Sequence, residues 1–454
     1  MKESVSQSPP TWDSFDEPPH MTSLRRWAII LIALGEFVDG YDLLVVSGAL
    51  LLLIPKFHLL PSAIGLLGGA AFVGAAVGLF FFGDLTDRIG RRKVFNFNLI
   101  GFVVFALASA IITNAVELFV ARFIMGIAIG ADIATSMAFL AEISPRSRRG
   151  ALTGALPQIA WTVGALCSLA MAVWLFHVAG SAAWRWMFGI SALPAFLVLL
   201  GRQLLPESPR WLLKQGRFEE AVASLEKYGV PQAASVVASL HTPAQPRGSY
   251  RDLFRRPYTH QAVFAFVIVG FTPLTGAIAS VVGPYVFRYV GLLGQTAALE
   301  SSMLLWVGGI IGALVAYATI DYIGRIWSTV ISCVGAFVCA VTLALVGHHQ
   351  PTLFLGVYML LAALTWFGAS SFWVLPSELL PTHLRGRAQG FGNGIARLMV
   401  AVTTFIVPVG IAHIGFGATL VLLGCVGLVI AAYALTGRRF EPKRRNLENV
   451  SREF

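Results

Sequence analysis

Twelve apolar stretches, each long enough to cross a bilayer, constrain this chain more than any other feature. They begin near Trp27, Ser62, Val94, Glu117, Ala151, Met187, Gln261, Ala297, Trp327, Thr352, Ala388 and Gly415. A helix needs about 20 such residues to span a hydrocarbon core of about 30 Å. The residues are 56% hydrophobic and only 12% charged, against about 25% charged in soluble domains. So much apolar surface requires lipid, and the fold expected is an all-α membrane protein of twelve transmembrane helices.

The formal charge of +10 does not point to nucleic acid, because the basic residues sit in short blocks between spans. Of the 33 Lys and Arg, only Lys56, Arg185 and Arg288 fall on the side opposite the termini, and Arg122 and Arg397 lie inside spans. This bias places both termini in the cytoplasm of a multi-pass protein of the cell (inner or plasma) membrane. Residues 1–26 read as a disordered, uncleaved cytoplasmic tail and 437–454 as a basic one. Cys167, Cys333, Cys339 and Cys425 lie within spans without CxxC spacing, so they read as packing residues, with no disulfide and no metal site.

The chain repeats itself. Glu142-Ile-Ser-Pro-Arg-Ser-Arg-Arg149-Gly150 returns 236 residues later as Glu378-Leu-Leu-Pro-Thr-His-Leu-Arg385-Gly386, and Asp87-Arg-Ile-Gly90-Arg91 returns as Asp321-Tyr-Ile-Gly324-Arg325. Two parallel six-span halves, 27–205 and 259–436, are therefore expected around a site near the midplane. In the linker 206–258, Phe218, Ala221, Val222 and Leu225 share one helical face, which suits a helix lying on the membrane surface. Gly74 with Gly78 and Gly126 with Gly130 have the four-residue spacing that lets helices approach closely in lipid.

Gly83-Asp-Leu-Thr-Asp87-Arg-Ile-Gly90-Arg91 joins spans two and three. Gly83 and Gly90 permit a tight turn, and Asp87 can accept charged hydrogen bonds from arginines on a neighbouring helix end. This stretch resembles the signature loop of the major facilitator superfamily. The two Glu-x6-Arg loops and Pro206-Glu-Ser-Pro209-Arg210 resemble its sugar-porter branch. The resemblance implies a cytoplasmic gate of salt bridges among Asp87, Arg91, Glu142, Arg149, Asp321, Arg325, Glu378 and Arg385, with Gly83, Gly90 and Gly324 at its turns. Topogenic loop charge alone explains the arginines but not the paired acids.

Span one carries Glu36, Asp39 and Asp42. Three-residue steps spread them over an arc of about 120°, so one cavity-facing stripe can hold all three, and ionisable groups this deep are candidates for function. Structural pairing is the alternative. Depth, at about 1.5 Å per residue, puts Arg122 of span four level with Asp42 or Asp39, and Asp132, about 15 Å further in, nearer Glu36. Gly40-Tyr41-Asp42 and the Arg122 segment match proton-coupled sugar porters, where the aspartate accepts the proton and the arginine tunes it. The longer Asp39-Gly40-Tyr41-Asp42 looks more like the aromatic-acid and metabolite proton symporters, and either aspartate is a candidate carrier.

Departures bear on the solute. Anchored on Gly276, positions where sugar porters place amides hold Thr272, Pro273 and Ile278; Gln158 survives in span five, but Leu169 stands where a second glutamine is expected. Arg397 lies about 15 Å into span eleven, near the midplane, and Trp161 is its equivalent in the other half. Trp373 matches a cavity tryptophan of the sugar porters. With no acid inside the C-terminal spans, Arg397 is expected to bind a carboxylate bidentately, with Trp161, Trp373 and Phe271 enclosing the solute. An ion pair with a cavity acid, or snorkelling, are its other readings.

The leading expectation is proton-coupled symport of a small organic anion, such as an aromatic or sugar acid. A neutral sugar or polyol carrier is the alternative, and a non-transporting membrane sensor comes third. No GxxxxGK[ST], HExxH or GxSxG motif points to an enzyme. The expected partners are the bilayer and an anionic solute, with no obligate protein partner and no cofactor beyond the coupling proton.

Overall fold

The computed structural model describes Phe15 and residues 20–145, 151–239, 249–276, 283–289, 295–346, 350–380 and 384–441. Arg149 and Ile278 lie outside the described residues, as do most of 1–26 and 437–454 and the side chains of Asp321 and Arg385.

Lipid offers backbone groups no partners, so each span closes its own hydrogen bonds as a helix. The N-terminal half comprises spans 1 (Ser23–Phe57), 2 (Pro61–Ile89), 3 (Arg91–Ile111), 4 (Ala115–Ile143), 5 (Leu156–Ala179) and 6 (Ala183–Gln203). The C-terminal half comprises spans 8 (Gln295–Ile323), 9 (Arg325–Val346), 10 (Pro351–Phe372), 11 (Arg385–Ile414) and 12 (Phe416–Thr436). Span 7 runs as Thr259–Phe271, Pro273–Gly276 and Gly283–Tyr289. Thr22 and Asn114 cap spans 1 and 4 through their side chains, and Pro61 and Pro351 open spans 2 and 10.

The internal repeat is a repeat of packing. Span 1 packs on 5, span 2 on 4 and span 3 on 6; spans 7 on 11, 8 on 10 and 9 on 12 are their equivalents. Gly126 and Gly130 of span 4 lie against the backbone of Ala71 and Ala75 in span 2, where a side chain would not fit. Between the halves, span 2 meets span 11 and span 8 meets span 5, again an equivalent pair.

Four expectations change. The linker helix Phe218–Lys227 uses Ala221 and Leu225 to seal the underside of the N-terminal half, with Leu225 clustered beside Ile29, Phe139 and Ile143, while Phe218 is exposed. A face of that size finds protein here, which satisfies it as lipid would. Phe15, assigned to a disordered tail, is buried under the guanidinium of Arg25, which also donates to its carbonyl at 2.7 Å. Gly83 stands inside span 2 facing Gly390 of span 11, so it serves a helix crossing; the turn belongs to Gly90, at φ +99°. Arg202, counted with the cytoplasmic charge, is buried at 1% exposure within span 6.

Candidate functional site

At the junction of the halves lies a cavity lined by Glu36, Phe72, Gln158 and Trp161 from the N-terminal half. Pro273, Gly276, Thr365, Trp366, Ala369, Phe372, Trp373, Arg397 and Val400 line it from the C-terminal half. Spans 5 and 11, equivalent in the repeat, thus present Trp161 and Arg397 to the same space. The Arg397 guanidinium lies 5.2 Å from the Trp373 ring centroid and 6.0 Å from those of Trp161 and Phe72. Trp161 also packs, with its ring tilted, against Trp366 at 4.9 Å and Trp306 at 5.4 Å between centroids. The indole NH groups of Trp161 and Trp373 and the Arg397 Nε have no hydrogen-bond partner among the described residues.

Four of the five residues expected to bind solute therefore come together: Arg397, Gln158, Trp161 and Trp373. Phe271 does not, being 40% exposed and outside the lining. Depth fixes a residue's height on a helix but not its azimuth. Phe72, Thr365 and Trp366 were not anticipated; nothing in the sequence sets them apart from other apolar residues in spans. Asn393, one turn before Arg397, is fully buried with neither amide atom partnered among the described residues.

Arg397 is also not the uncompensated cation that the sequence of its own half suggests. The carboxylates of Glu36 and Asp39 reach it electrostatically from span 1, across the interface. No carboxylate stands within ion-pairing distance of it among the described residues.

The levels read from depth hold. Arg122 meets Asp42, donating from Nη2 to the Asp42 backbone carbonyl, with the carboxylate in its electrostatic field and the Phe188 ring 5.6 Å from its guanidinium. Asp132 sits beside Glu36, but it is committed: Arg202 pairs with it, and Asn98 donates to it at 2.7 Å. Arg202 further donates to the carbonyls of Leu31 and Ile32. It thereby ties span 1 to spans 4 and 6 beneath Glu36.

At the end of the bundle where the two Glu-x6-Arg loops lie, Arg91 donates to Asp87 and Glu142, each at 2.7 Å, and Arg325 donates to Glu378 at 2.8 and 2.9 Å. Both clusters lie within one half. Each is backed by an acid the expectations omitted: Glu207 accepts from the backbone NH groups of Arg91 and Arg92, and Glu441 from those of Arg325 and Ile326. The N-terminus of each of these helices thus receives a carboxylate, which complements its dipole.

Asp87 accepts, as expected, from an arginine on a neighbouring helix end, Arg91 being the first residue of span 3. An ion pair between the halves joins Arg387 and Asp84, at 2.7 Å. Beside it Tyr250 of the linker donates to the Phe80 carbonyl at 2.9 Å, and burial, with Asp84 nearby, pushes this phenol up to about 12.

A model of the family described as "Sugar (and other) transporter" matches residues 28–454. An inner membrane metabolite transport protein of Escherichia coli K12 is 32% identical over 399 residues, covering 87% of each chain. The arabinose-proton symporter of Bacillus subtilis is 28% identical, covering 93% of this chain and 94% of its own. Among solved structures, a xylose transporter from E. coli in a partially occluded inward-open conformation matches with a TM-score of 0.78 at 22% identity, covering 91% of this chain and 98% of its own.

Proposed function

The chain belongs to the sugar (and other) transporter family, a membrane carrier and not an enzyme, and from that premise we propose that it is a proton-coupled symporter of a neutral sugar or polyol. One observation carries the solute class. Glu36 lines the same cavity as Arg397 and, with Asp39 one turn on, brings acidic groups from the opposite half into its electrostatic reach, so the protein itself supplies counter-charge and the cavity does not depend on an anionic solute for it. This reverses the preference for an organic anion, which rested on an Arg397 without counter-charge. The arabinose-proton symporter among its relatives supports the same direction.

In this reading Arg397, Gln158 and the indole NH groups of Trp161 and Trp373 meet hydroxyls, while the aromatic faces stack on the apolar side of the ring. Asp42 takes the coupling proton, and Arg122 assists its release. The clusters around Arg91 and Arg325, with the Asp84–Arg387 pair, hold the cytoplasmic side shut. The distribution of Lys and Arg supports cytoplasmic termini in a cell membrane.

The anion reading retains one supporting observation: the Arg397 Nε is unpartnered, so protonation of its acidic neighbours would leave a guanidinium fork for a carboxylate. Uptake into proteoliposomes under an inwardly directed proton gradient separates the two. Xylose, arabinose, glucose or a polyol should accumulate, and a protonophore should abolish the accumulation. Accumulation of gluconate or benzoate in place of the neutral solutes would transfer the assignment to organic anions.

A further inference from the structure

The buried charges of the N-terminal half do not balance in the way those around Asp42 do. Asp42 has Arg122, one acid for one base. One turn away, three carboxylates, Glu36, Asp39 and Asp132, share two guanidiniums, Arg202 of span 6 and Arg397 of span 11. These are the charged groups that face Glu36 and Asp39 among the described residues.

Asp132 is in direct contact with Arg202, which leaves Arg397 alone to answer both Glu36 and Asp39. Both acids are buried, at 3% and 0% exposure; neither oxygen of Asp39 nor the Oε1 of Glu36 has a hydrogen-bond partner among the described residues. An excess buried charge without hydrogen bonds is among the costliest arrangements a protein can hold, and neighbouring carboxylates escape it by sharing a proton.

We propose that Glu36 and Asp39 together form a second proton-binding site, on the cavity wall beside Arg397, which holds one proton between them when the cavity is empty. The shared proton brings the five-residue cluster to neutrality. Because Glu36 and Arg397 line the solute cavity, a solute that engages Arg397 alters the charge the pair experiences. Proton binding here is thereby linked to solute binding at a site distinct from Asp42, while uphill accumulation still requires Asp42. The inference rests on the proton-coupled reading for its place in transport, but not for the existence of the bound proton.

Infrared spectroscopy of the full-length carrier in lipid reads that proton directly, with no solute required. At neutral pH the wild type should show the carbonyl band of a buried carboxylic acid, shifting in deuterium oxide and retained in Asp42→Asn. Either Glu36→Gln or Asp39→Asn alone should abolish it, because the remaining acid is then matched one to one by Arg397. Arg397→Gln should strengthen it, since both acids lose their base.

Absence of the band in wild type, its survival in either single amide variant, or no gain in Arg397→Gln would overturn the proposal. Accumulation of xylose driven by a pH gradient, measured on the same proteoliposomes, tests the coupling reading independently. A band that behaves as described without pH-driven uptake of any solute would retire coupling and leave the shared proton standing.

Discussion

The two halves of this carrier are alike at the charged loops and unlike at the cavity. At the loops the match extends to single hydrogen bonds: Arg91 with Glu142 corresponds to Arg325 with Glu378, and Glu207 under span 3 to Glu441 under span 9. Inside the membrane the spans still pack as equivalents, but the match in polar residues ends. With Gly40 aligned on Gly276, Glu36 and Asp39 correspond to Thr272 and Thr275, whose hydroxyls donate to their own helix at 2.6 and 2.8 Å. Asp132 corresponds to Gly368 and Arg397 to Trp161. The repeat persists in the loop clusters proposed to close one side of the membrane. It diverges where the N-terminal half handles charge and the C-terminal half supplies a guanidinium and an aromatic wall.

The largest effect should come from the pair without a C-terminal equivalent. Removing one member of a fully buried ion pair leaves an uncompensated charge and costs about 3–5 kcal/mol. Arg202→Leu should therefore lower the midpoint of thermal unfolding in detergent sharply, as should Asp132→Leu, whereas the double replacement should recover much of the loss. A single variant as stable as wild type would place that pair outside the scaffold and weaken the contrast between the halves.

Next comes the Arg397–Trp161 exchange. Losing a charged hydrogen-bond donor costs about 1.5–3 kcal/mol, roughly ten- to a hundred-fold in affinity. Arg397→Gln should weaken solute binding on that scale in equilibrium binding of the accumulated solute. Trp161→Phe should cost only about 0.5–1.5 kcal/mol, since a ring remains to stack. Equal losses at the two positions would mean that the halves grip the solute in the same way.

Smaller still is the bridge between the halves. Asp84 and Arg387 are partly exposed, at 21% and 10% of their side chains, and pairs of this kind contribute about 0–1 kcal/mol. Asp84→Asn should shift cysteine-labelling accessibility toward the inward-open form by a few-fold at most. Breaking the cluster within one half, with Glu378→Ala, should move it further. The reverse order would make the cross-half bridge the principal lock.

Much of this was legible in the sequence because membranes impose length and repeats impose register. The twelve spans, the two halves, the level of Arg122 with Asp42 and the places of Arg397 and Trp161 follow from those two rules, while Gln158 and Trp373 came from the resemblance to sugar porters. What escaped depends on direction around a helix or on contacts across the halves. Phe271 sits at a suitable depth on an unsuitable face. Asp84 and Arg387 are 303 residues apart, and their counterparts, at the offsets of 234 and 236 residues that hold in their own segments, are Ala318 and Ala151, so the repeat carries no trace of them. Arg202 is the next-to-last residue of its helix, where apolar patterning no longer separates span from loop. Arg397 looked unpaired because its counter-charges belong to the other half.

The claim that the N-terminal half carries the proton chemistry is tested most directly at Asp42, the acid matched one to one by Arg122. The measurement compares wild type and Asp42→Asn in proteoliposomes, following net accumulation of the transported solute under a pH gradient and its exchange at equal concentrations on both sides. With the cavity intact but the proton carrier removed, Asp42→Asn should accumulate nothing above equilibrium while exchanging solute at close to the wild-type rate. Accumulation against the gradient by Asp42→Asn would contradict the assignment.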